Sequence, residues 1–147
     1  MIWRTIEMNF ISKIVSLIKP EFEAYAHCDV PCGIYDPKDA QLAAENVEKM
    51  MTLMDSVDGS SKETRNSFIR YVAAKEVHAE KVKHEVRIIW GDYFKPEHLD
   101  RFPDLHTKVW QIMKTASACR QGADVADAAN LRQQVDEFAD MFWATKS

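Results

Sequence analysis

The side chains best suited to metal chemistry lie close together between positions 27 and 35. His27, Cys28 and Cys32 place one imidazole and two thiols within six residues. Thiolates and imidazoles are ligands that soft and borderline transition metals prefer. A proline and a glycine in the same stretch exclude a helix, because proline lacks an amide donor and glycine permits a tight turn. We therefore predict that residues 27–35, called the hook below, form a compact metal-binding segment.

The spacing of the two cysteines argues against the commonest thiol sites. C-x3-C is not the C-x2-C of zinc knuckles, and no second Cys/His pair follows at knuckle spacing. A thioredoxin-like redox pair likewise needs C-x2-C at a helix N-terminus within a βαβ unit. Two interpretations remain, namely a metal site of another kind or two surface thiols without a function.

Residues 1–26 are interpreted as a leader that is removed during maturation. The tripeptide 24–26 reads Ala-Tyr-Ala, which resembles an A-x-A cleavage site. Lys13 and Lys19 leave too short an apolar run between them for a secretory signal. The segment is therefore predicted to be a leader of another kind.

Removal of this leader would complete a planar set of ligands. His27 would then carry a free α-amine beside its imidazole. This amine, the deprotonated amide of Cys28 and the thiolates of Cys28 and Cys32 form an N2S2 set, and the imidazole is available as an axial ligand. Square-planar sites of this kind suit Ni(II) or Cu(II), and thiolates also attract Cu(I).

Four amphipathic helices are predicted to position the hook. Apolar residues recur at spacings of three and four, which is typical of helices packed along a seam. The four seams are Ala43, Val47, Met50, Met54 and Val57; Phe68, Val72, Ala79, Val82, Val86 and Ile89; Leu105, Val109, Ile112, Met113 and Ala116; and Leu131, Val135, Phe138 and Phe142. Short links between them predict an all-α fold, an antiparallel four-helix bundle over residues 36–143 with the metal-binding hook at its N-terminus.

The boundaries of these helices also carry sequence signals. Asp36 and Pro37 read as the N-cap and first residue of the first helix. Residues 60–63, Ser-Ser-Lys-Glu, read as a capping box that opens the second helix, which Gly91 is expected to end. A short turn is expected at residues 97–102, between the second and third seams.

Composition excludes several classes of protein. The 147 residues carry a net charge of −4 with an apolar content of 46%, which disfavours both a nucleic-acid module and a disordered chain. No apolar run approaches the roughly 20 residues that span a bilayer, so no membrane association is expected. Three cysteines are too few for a disulfide framework, and they fit either a reducing compartment or a local site that uses thiolates. A cytoplasmic location is expected, with Cys119 as a buried or idle thiol.

Three motifs together resemble one protein family. They are the hook His27-Cys28-Asp29-x-Pro31-Cys32-Gly33-x-Tyr35-Asp36-Pro37, the block Trp90-x-Asp92-Tyr93-Phe94-Lys95-Pro96, and the later Phe142-Trp143-x-Thr145-Lys146. This pattern is similar to that of the nickel superoxide dismutases. The resemblance covers residues 27–147, which are 121 of the 147 residues and would form the mature domain.

The resemblance implies an oxidoreductase that disproportionates superoxide anion to dioxygen and hydrogen peroxide. Its members are four-helix bundles that assemble as homohexamers, with one nickel ion per subunit that cycles between Ni(II) and Ni(III). The ligands carried over are His27 through its amine and imidazole, Cys28 through its thiolate and amide, and Cys32 through its thiolate. The leader would be removed by a maturation peptidase.

Further residues take their expected roles from the same resemblance. Tyr35 and Asp29 match residues that line the access channel and order water beside the metal. Many members support the axial histidine with a Glu in the first helix and an Arg in the second, where this chain has Ala43 and His78. A variant subgroup is therefore expected, in which His78 is available to hydrogen-bond the His27 imidazole.

Two other functions remain open at this stage. The hook could belong to a nickel or copper carrier without turnover, or the chain could be a helical interaction module whose thiols are incidental. If superoxide is the substrate, an anion must approach a chain of net charge −4. Lys38 and Lys95, the lysines nearest the matched motifs, are predicted to supply local positive potential.

Overall fold

The computed structural model of the chain describes residues 34–146, and within this range every regular element is helical. The elements are α1 (Lys38–Asp55), α2 (Lys62–Ile88), a π-helical turn (Ile89–Tyr93), α3 (Pro96–Arg101), α4 (Leu105–Gln121) and α5 (Val125–Ala144). The predicted all-α class is confirmed. None of these helices is long and apolar enough to cross a membrane.

The four long helices form the predicted antiparallel bundle. α1 packs against α2 and α5, and α4 packs against the same two helices, so the four surround one core. The connection between α4 and α5 is residues 122–124 alone, and such short links make neighbours antiparallel. The fully buried core side chains of greatest volume are Phe138, Phe142, Met51, Leu105, Ile112 and Leu131.

Local chemistry explains where the helices begin. The Ser61 hydroxyl accepts a hydrogen bond from the Thr64 amide at 3.0 Å, and the Thr64 hydroxyl accepts one from the Ser61 amide at 3.0 Å. This is the predicted capping box of the second helix, with Thr64 in the role expected of Glu63. At α1 the carboxylate of Asp36 accepts from the Lys38 amide at 2.8 Å, although the helix begins one residue later than predicted.

The structure corrects two of the predicted seams. Met51 is buried in α1 whereas Met50 is only half-buried, so the buried positions 43, 47, 51 and 54 follow spacings of four, four and three instead of the predicted four, three and four. Phe68 is 38% exposed, since the first turns of α2 contribute no buried residue before Lys75. The third and fourth seams are buried almost completely, with only Met113 half-buried.

The second helix does not end at Gly91 as predicted. It widens into the π-helical turn Ile89–Tyr93, and the Phe94 amide donates to the Ile89 carbonyl at 3.3 Å. A turn of this kind shifts the side chains that follow relative to an α-helix. Pro96 then occupies the first position of α3, where a missing amide donor costs nothing. The turn thus directs Tyr93 and Phe94 toward the end of the bundle core.

Candidate metal centre

The predicted nickel ligands His27, Cys28 and Cys32, together with Asp29, lie outside the described residues. Of the predicted site residues, Tyr35 lies within them, as do Ala43, His78 and the two lysines. Tyr35 is half-buried just before α1, and its ring packs against the bundle core. Of the two predicted catalytic residues, Tyr35 is therefore the one whose contacts the structure describes.

Tyr35 contacts a second tyrosine that is distant in sequence. The rings of Tyr35 and Tyr93 lie 5.7 Å apart between centroids and are tilted by 56°. Tilted pairs at this separation are favourable, because ring edges carry partial positive charge and ring faces partial negative charge. The π-helical turn thus brings the end of the hook motif against the second family motif.

Tyr93 in turn contacts the third family motif at the C-terminal end of α5. Its hydroxyl lies 2.6 Å from Thr145 Oγ1. Because Thr145 donates its own hydrogen to the Phe142 carbonyl at 2.6 Å, the Tyr93 hydroxyl is the donor. The Tyr93 ring lies 4.6 Å from the Phe142 ring, and the Lys146 ammonium lies 4.8 Å above it. All three motifs therefore meet at Tyr93.

Two further aromatic side chains hold Tyr93 in place. His98 stacks on its ring at 5.6 Å with an interplanar angle of 19°, and Phe94 meets it edge-on at 5.4 Å. The His98 Nδ1 accepts a hydrogen bond from the Lys95 amide at 3.1 Å, which fixes the imidazole ring. Tyr93 is thus confined on several sides while its ring remains half-buried.

The two predicted lysines lie near the tyrosine pair in the sequence. Lys38 follows Tyr35 by three residues, Lys95 follows Tyr93 by two, and both lysines are exposed. Lys146 adds a third ammonium, which sequence reasoning did not single out. Lys146 belongs to the third family motif, and this was the sequence signal that could have pointed to it. Its position over Tyr93 depends on the packing of α5.

Ala43 and His78 lie in the same groove between α1 and α2, which has a volume of about 390 Å³. The match of these two positions to the family's Glu and Arg stays a prediction. The His78 Nδ1 lies 2.7 Å from the Ala74 carbonyl, so Nδ1 carries the hydrogen. In the neutral ring Nε2 is then a hydrogen-bond acceptor. The expected bond to His27 involves a residue outside the described range and stays a prediction.

Residues 34–146 offer no competing metal site. Over this range no three His, Cys, Asp or Glu side chains are grouped so that they could hold a metal ion. Cys119 is fully buried, as predicted. Burial, and then the nearby Asp127 carboxylate, raise the pKa of its thiol to about 11. Cys119 is therefore protonated at neutral pH and is a poor metal ligand.

Comparison with known proteins identifies the family. Residues 22–146 match the family described as nickel-containing superoxide dismutase. The nickel superoxide dismutase of Streptomyces coelicolor is 37% identical over 130 residues, which are 88% of this chain and 95% of that protein. The enzyme of Streptomyces seoulensis is 36% identical with the same coverage.

Solved structures agree with this result. A native nickel superoxide dismutase structure superposes with a TM-score of 0.73 at 36% identity, covering 82% of this chain and all of that one. A second structure, whose nickel ligation corresponds to the oxidised state, superposes with a TM-score of 0.73 at 37% identity and covers 82% of this chain and 98% of that one. Because the match includes the hook and both later motifs, the chain belongs to the nickel-containing superoxide dismutase family.

Proposed function

We propose that the hook forms the nickel site of this chain once residues 1–26 have been removed. The reaction follows from the family: two superoxide anions disproportionate to dioxygen and hydrogen peroxide. When bound, nickel supplies the redox chemistry by cycling between Ni(II) and Ni(III). The observation that carries the proposal is the family match over residues 22–146, which contains every proposed ligand.

The donor set of the hook fits this metal. His27 would contribute its α-amine and imidazole, Cys28 its thiolate and backbone amide, and Cys32 its thiolate. Thiolate and amidate donors push electron density onto a metal and so stabilise its higher oxidation state. Oxygen donors would not achieve this, which explains why two cysteines rather than carboxylates stand at these positions.

The α-amine requires a new N-terminus at His27. The Ala-Tyr-Ala sequence at residues 24–26 resembles a cleavage site and supports removal of residues 1–26 by a maturation peptidase. Metal loading would then depend on processing, because the uncleaved chain lacks one ligand.

Tyr35 and Asp29 are proposed to control access to the metal. Tyr35 lies three residues after Cys32, so their Cα atoms can be no more than about 11 Å apart. The Tyr35 hydroxyl can donate a hydrogen bond to an anion or to ordered water, and such groups deliver the protons that peroxide formation needs. Contact with Tyr93 restricts the Tyr35 ring, so the phenol is held in place before substrate arrives.

The lysines near the tyrosine pair are proposed to attract superoxide. Superoxide dismutases are among the enzymes that work near the diffusional limit. A chain of net charge −4 repels an anion overall, so local positive potential is needed at the entrance. Lys38, Lys95 and Lys146 supply three positive charges there, against the exposed carboxylates of Asp36 and Asp92.

Assembly as a homohexamer in the cytoplasm completes the proposal. Trp110 and Trp143 are 61% and 48% exposed in the single chain, and exposed aromatic side chains are typical of subunit contacts. The buried, reduced Cys119 and the low cysteine count fit a reducing compartment. Light scattering of the mature protein should give six times the subunit mass.

One experiment tests the enzyme against the carrier without turnover. Nickel content and superoxide decay are measured in the same sample of the protein cleaved after Ala26. We expect about one nickel ion per chain and rapid decay, and loss of both in Cys28→Ser and Cys32→Ser because an alkoxide is a poorly matched donor. Cys119→Ser is the matched control and should retain both. Full nickel loading without superoxide decay would instead identify a carrier.

A further inference from the structure

The first half of α2 carries a row of four side chains that stays at the surface of the single chain. Arg65, Ile69, Val72 and Glu76 follow one another at spacings of four, three and four, so they lie along one face of the helix. Ile69 is 66% exposed, Val72 is half-buried, and the two charged side chains are exposed. These four residues, called the α2 stripe below, have the spacing of a helix-packing seam without a helix packed on it.

The α2 stripe begins where the bundle loses one of its helices. The Lys75 ammonium donates to the carbonyls of Arg120 and Gly122, so the end of α4 lies beside Lys75. Residues 62–74 of α2 precede this point and contribute no buried side chain. Because α4 does not continue along these turns, the apolar part of the α2 stripe is left without a neighbouring helix in the single chain.

The two ends of the α2 stripe carry opposite charges that are unpaired. Neither Arg65 nor Glu76 takes part in an ion pair within residues 34–146. The two residues are eleven positions apart, which is about 17 Å along a helix, so they cannot pair with each other in one chain. Both charges are therefore available to a second chain.

We propose that the α2 stripe is an interface between two copies of this chain, whose α2 helices pack antiparallel across a two-fold axis. The spacing of four, three and four is the same in either direction, so two antiparallel stripes match position by position. Arg65 then lies opposite Glu76 of the partner subunit, and Ile69 lies opposite the partner's Val72. A parallel pair would instead place like charges opposite each other, which the charge pattern disfavours.

The two-fold axis gives this interface the usual distribution of apolar and charged groups. Each contact occurs twice, so two Ile69–Val72 contacts lie at the centre and two Arg65–Glu76 ion pairs lie at the ends. Protein interfaces commonly have an apolar centre and a polar rim. Phe68, which is 38% exposed beside the α2 stripe, adds apolar surface to the centre.

A groove at the end of α4 offers space for the partner's Arg65. Glu76 lines this groove together with Ser117, Arg120 and Gln121, and its volume is about 520 Å³. Arg120 is engaged by Glu80 at 2.7 Å. Glu76 is thus the carboxylate in the groove that lacks a cation, and the guanidinium of the second chain would supply one.

The pairing goes beyond the proposed hexamer by naming the surface and the register of one contact. A closed hexamer built from two rings of three subunits contains two-fold axes, and an α2 pair on such an axis would join the rings. The pairing rests on α2 and not on the hook, so it does not depend on the proposed nickel site.

Charge reversal in the full chain tests the pairing. Arg65→Glu and Glu76→Arg each place like charges opposite one another twice, so we expect self-association to be at least about tenfold weaker in either variant. The variant with both changes restores opposite charges and should regain the association of the parent. Because the two residues cannot pair within one chain, this recovery requires contact between chains. Sedimentation over a range of protein concentrations measures the association.

Arg70→Glu is the matched control, since Arg70 is exposed on another face of the same helix. It should associate as the parent does, and circular dichroism should show the same helix content in every variant. A monomeric parent, unchanged association in both single variants, or no recovery in the double variant would overturn the proposal, as would equal weakening by Arg70→Glu. A parent that forms dimers alone would contradict the proposed hexamer and still support the α2 pair if the charge reversals behave as expected.

Discussion

Lys75 offers the sharpest test of how the bundle is held together. Its side chain is 3% exposed, and its ammonium donates to the carbonyls of Arg120 at 3.0 Å and Gly122 at 2.8 Å. These carbonyls lie at the C-terminal end of α4, where the last helical carbonyls lack partners within the helix. Lys75 therefore joins α2 to the end of α4, and its positive charge meets the negative end of the helix dipole.

The magnitude of its contribution follows from these contacts. A hydrogen bond that involves a charged group contributes about 1.5–3 kcal/mol, so two contribute roughly 3–6 kcal/mol. Methionine has a similar length and avoids the cost of burying an ammonium, which offsets part of the loss. We expect Lys75→Met to lower the free energy of unfolding by about 2–4 kcal/mol. This loss of unfolding free energy corresponds to a midpoint of urea unfolding that is lower by about 1–2 M.

The assay is urea unfolding followed by circular dichroism, at one fixed protein concentration because assembly adds to apparent stability. Lys81→Met is the control, since Lys81 pairs with Asp39 at 3.4 Å and both side chains are well exposed. Exposed pairs contribute at most about 1 kcal/mol, so the control should change little. Equal urea midpoints for the parent and Lys75→Met would refute the stabilising role of Lys75. Equal losses of stability in Lys75→Met and Lys81→Met would refute it as well.

Four further outcomes are expected. Mass spectrometry of active protein should show a chain that begins at His27, and an active, nickel-loaded chain that retains Met1 would disprove the amine ligand. The second-order rate with superoxide should fall as salt rises, and less steeply in Lys38→Gln and Lys95→Gln, because salt screens exposed charges; a flat response in the parent would exclude steering. Cys119 should resist iodoacetamide at pH 8 until urea exposes it. Its raised pKa also predicts that stability declines from pH 9, where the unfolded thiol ionises, to about pH 11, where the folded thiol does. Cys119→Ala should remove this slope, and a slope of equal size in that variant would contradict the assignment.

Much of the fold could be predicted from the sequence because its signals are local. A helix repeats every 3.6 residues, so the seam that contains Phe138 and Phe142 was visible without any knowledge of its partners. The signal for the hook is more local still, because its donors lie within six residues of one another. The types and order of His27, Cys28 and Cys32 therefore predict a ligand set before any packing is considered.

The contacts between residues distant in sequence were decided only by the tertiary structure. Periodicity allows a step of either three or four residues after Val47, and only packing decided that Met51 rather than Met50 enters the core. The hydrogen bond between Tyr93 and Thr145 joins residues 52 positions apart, and its formation depends on a π-helical turn that no local pattern signalled. The Lys75 ammonium likewise donates to carbonyls of residues that lie 45 and 47 positions further along the chain. Such pairs depend on the angles and offsets at which helices pack, and these are set by the fit of all core side chains together rather than by any single segment.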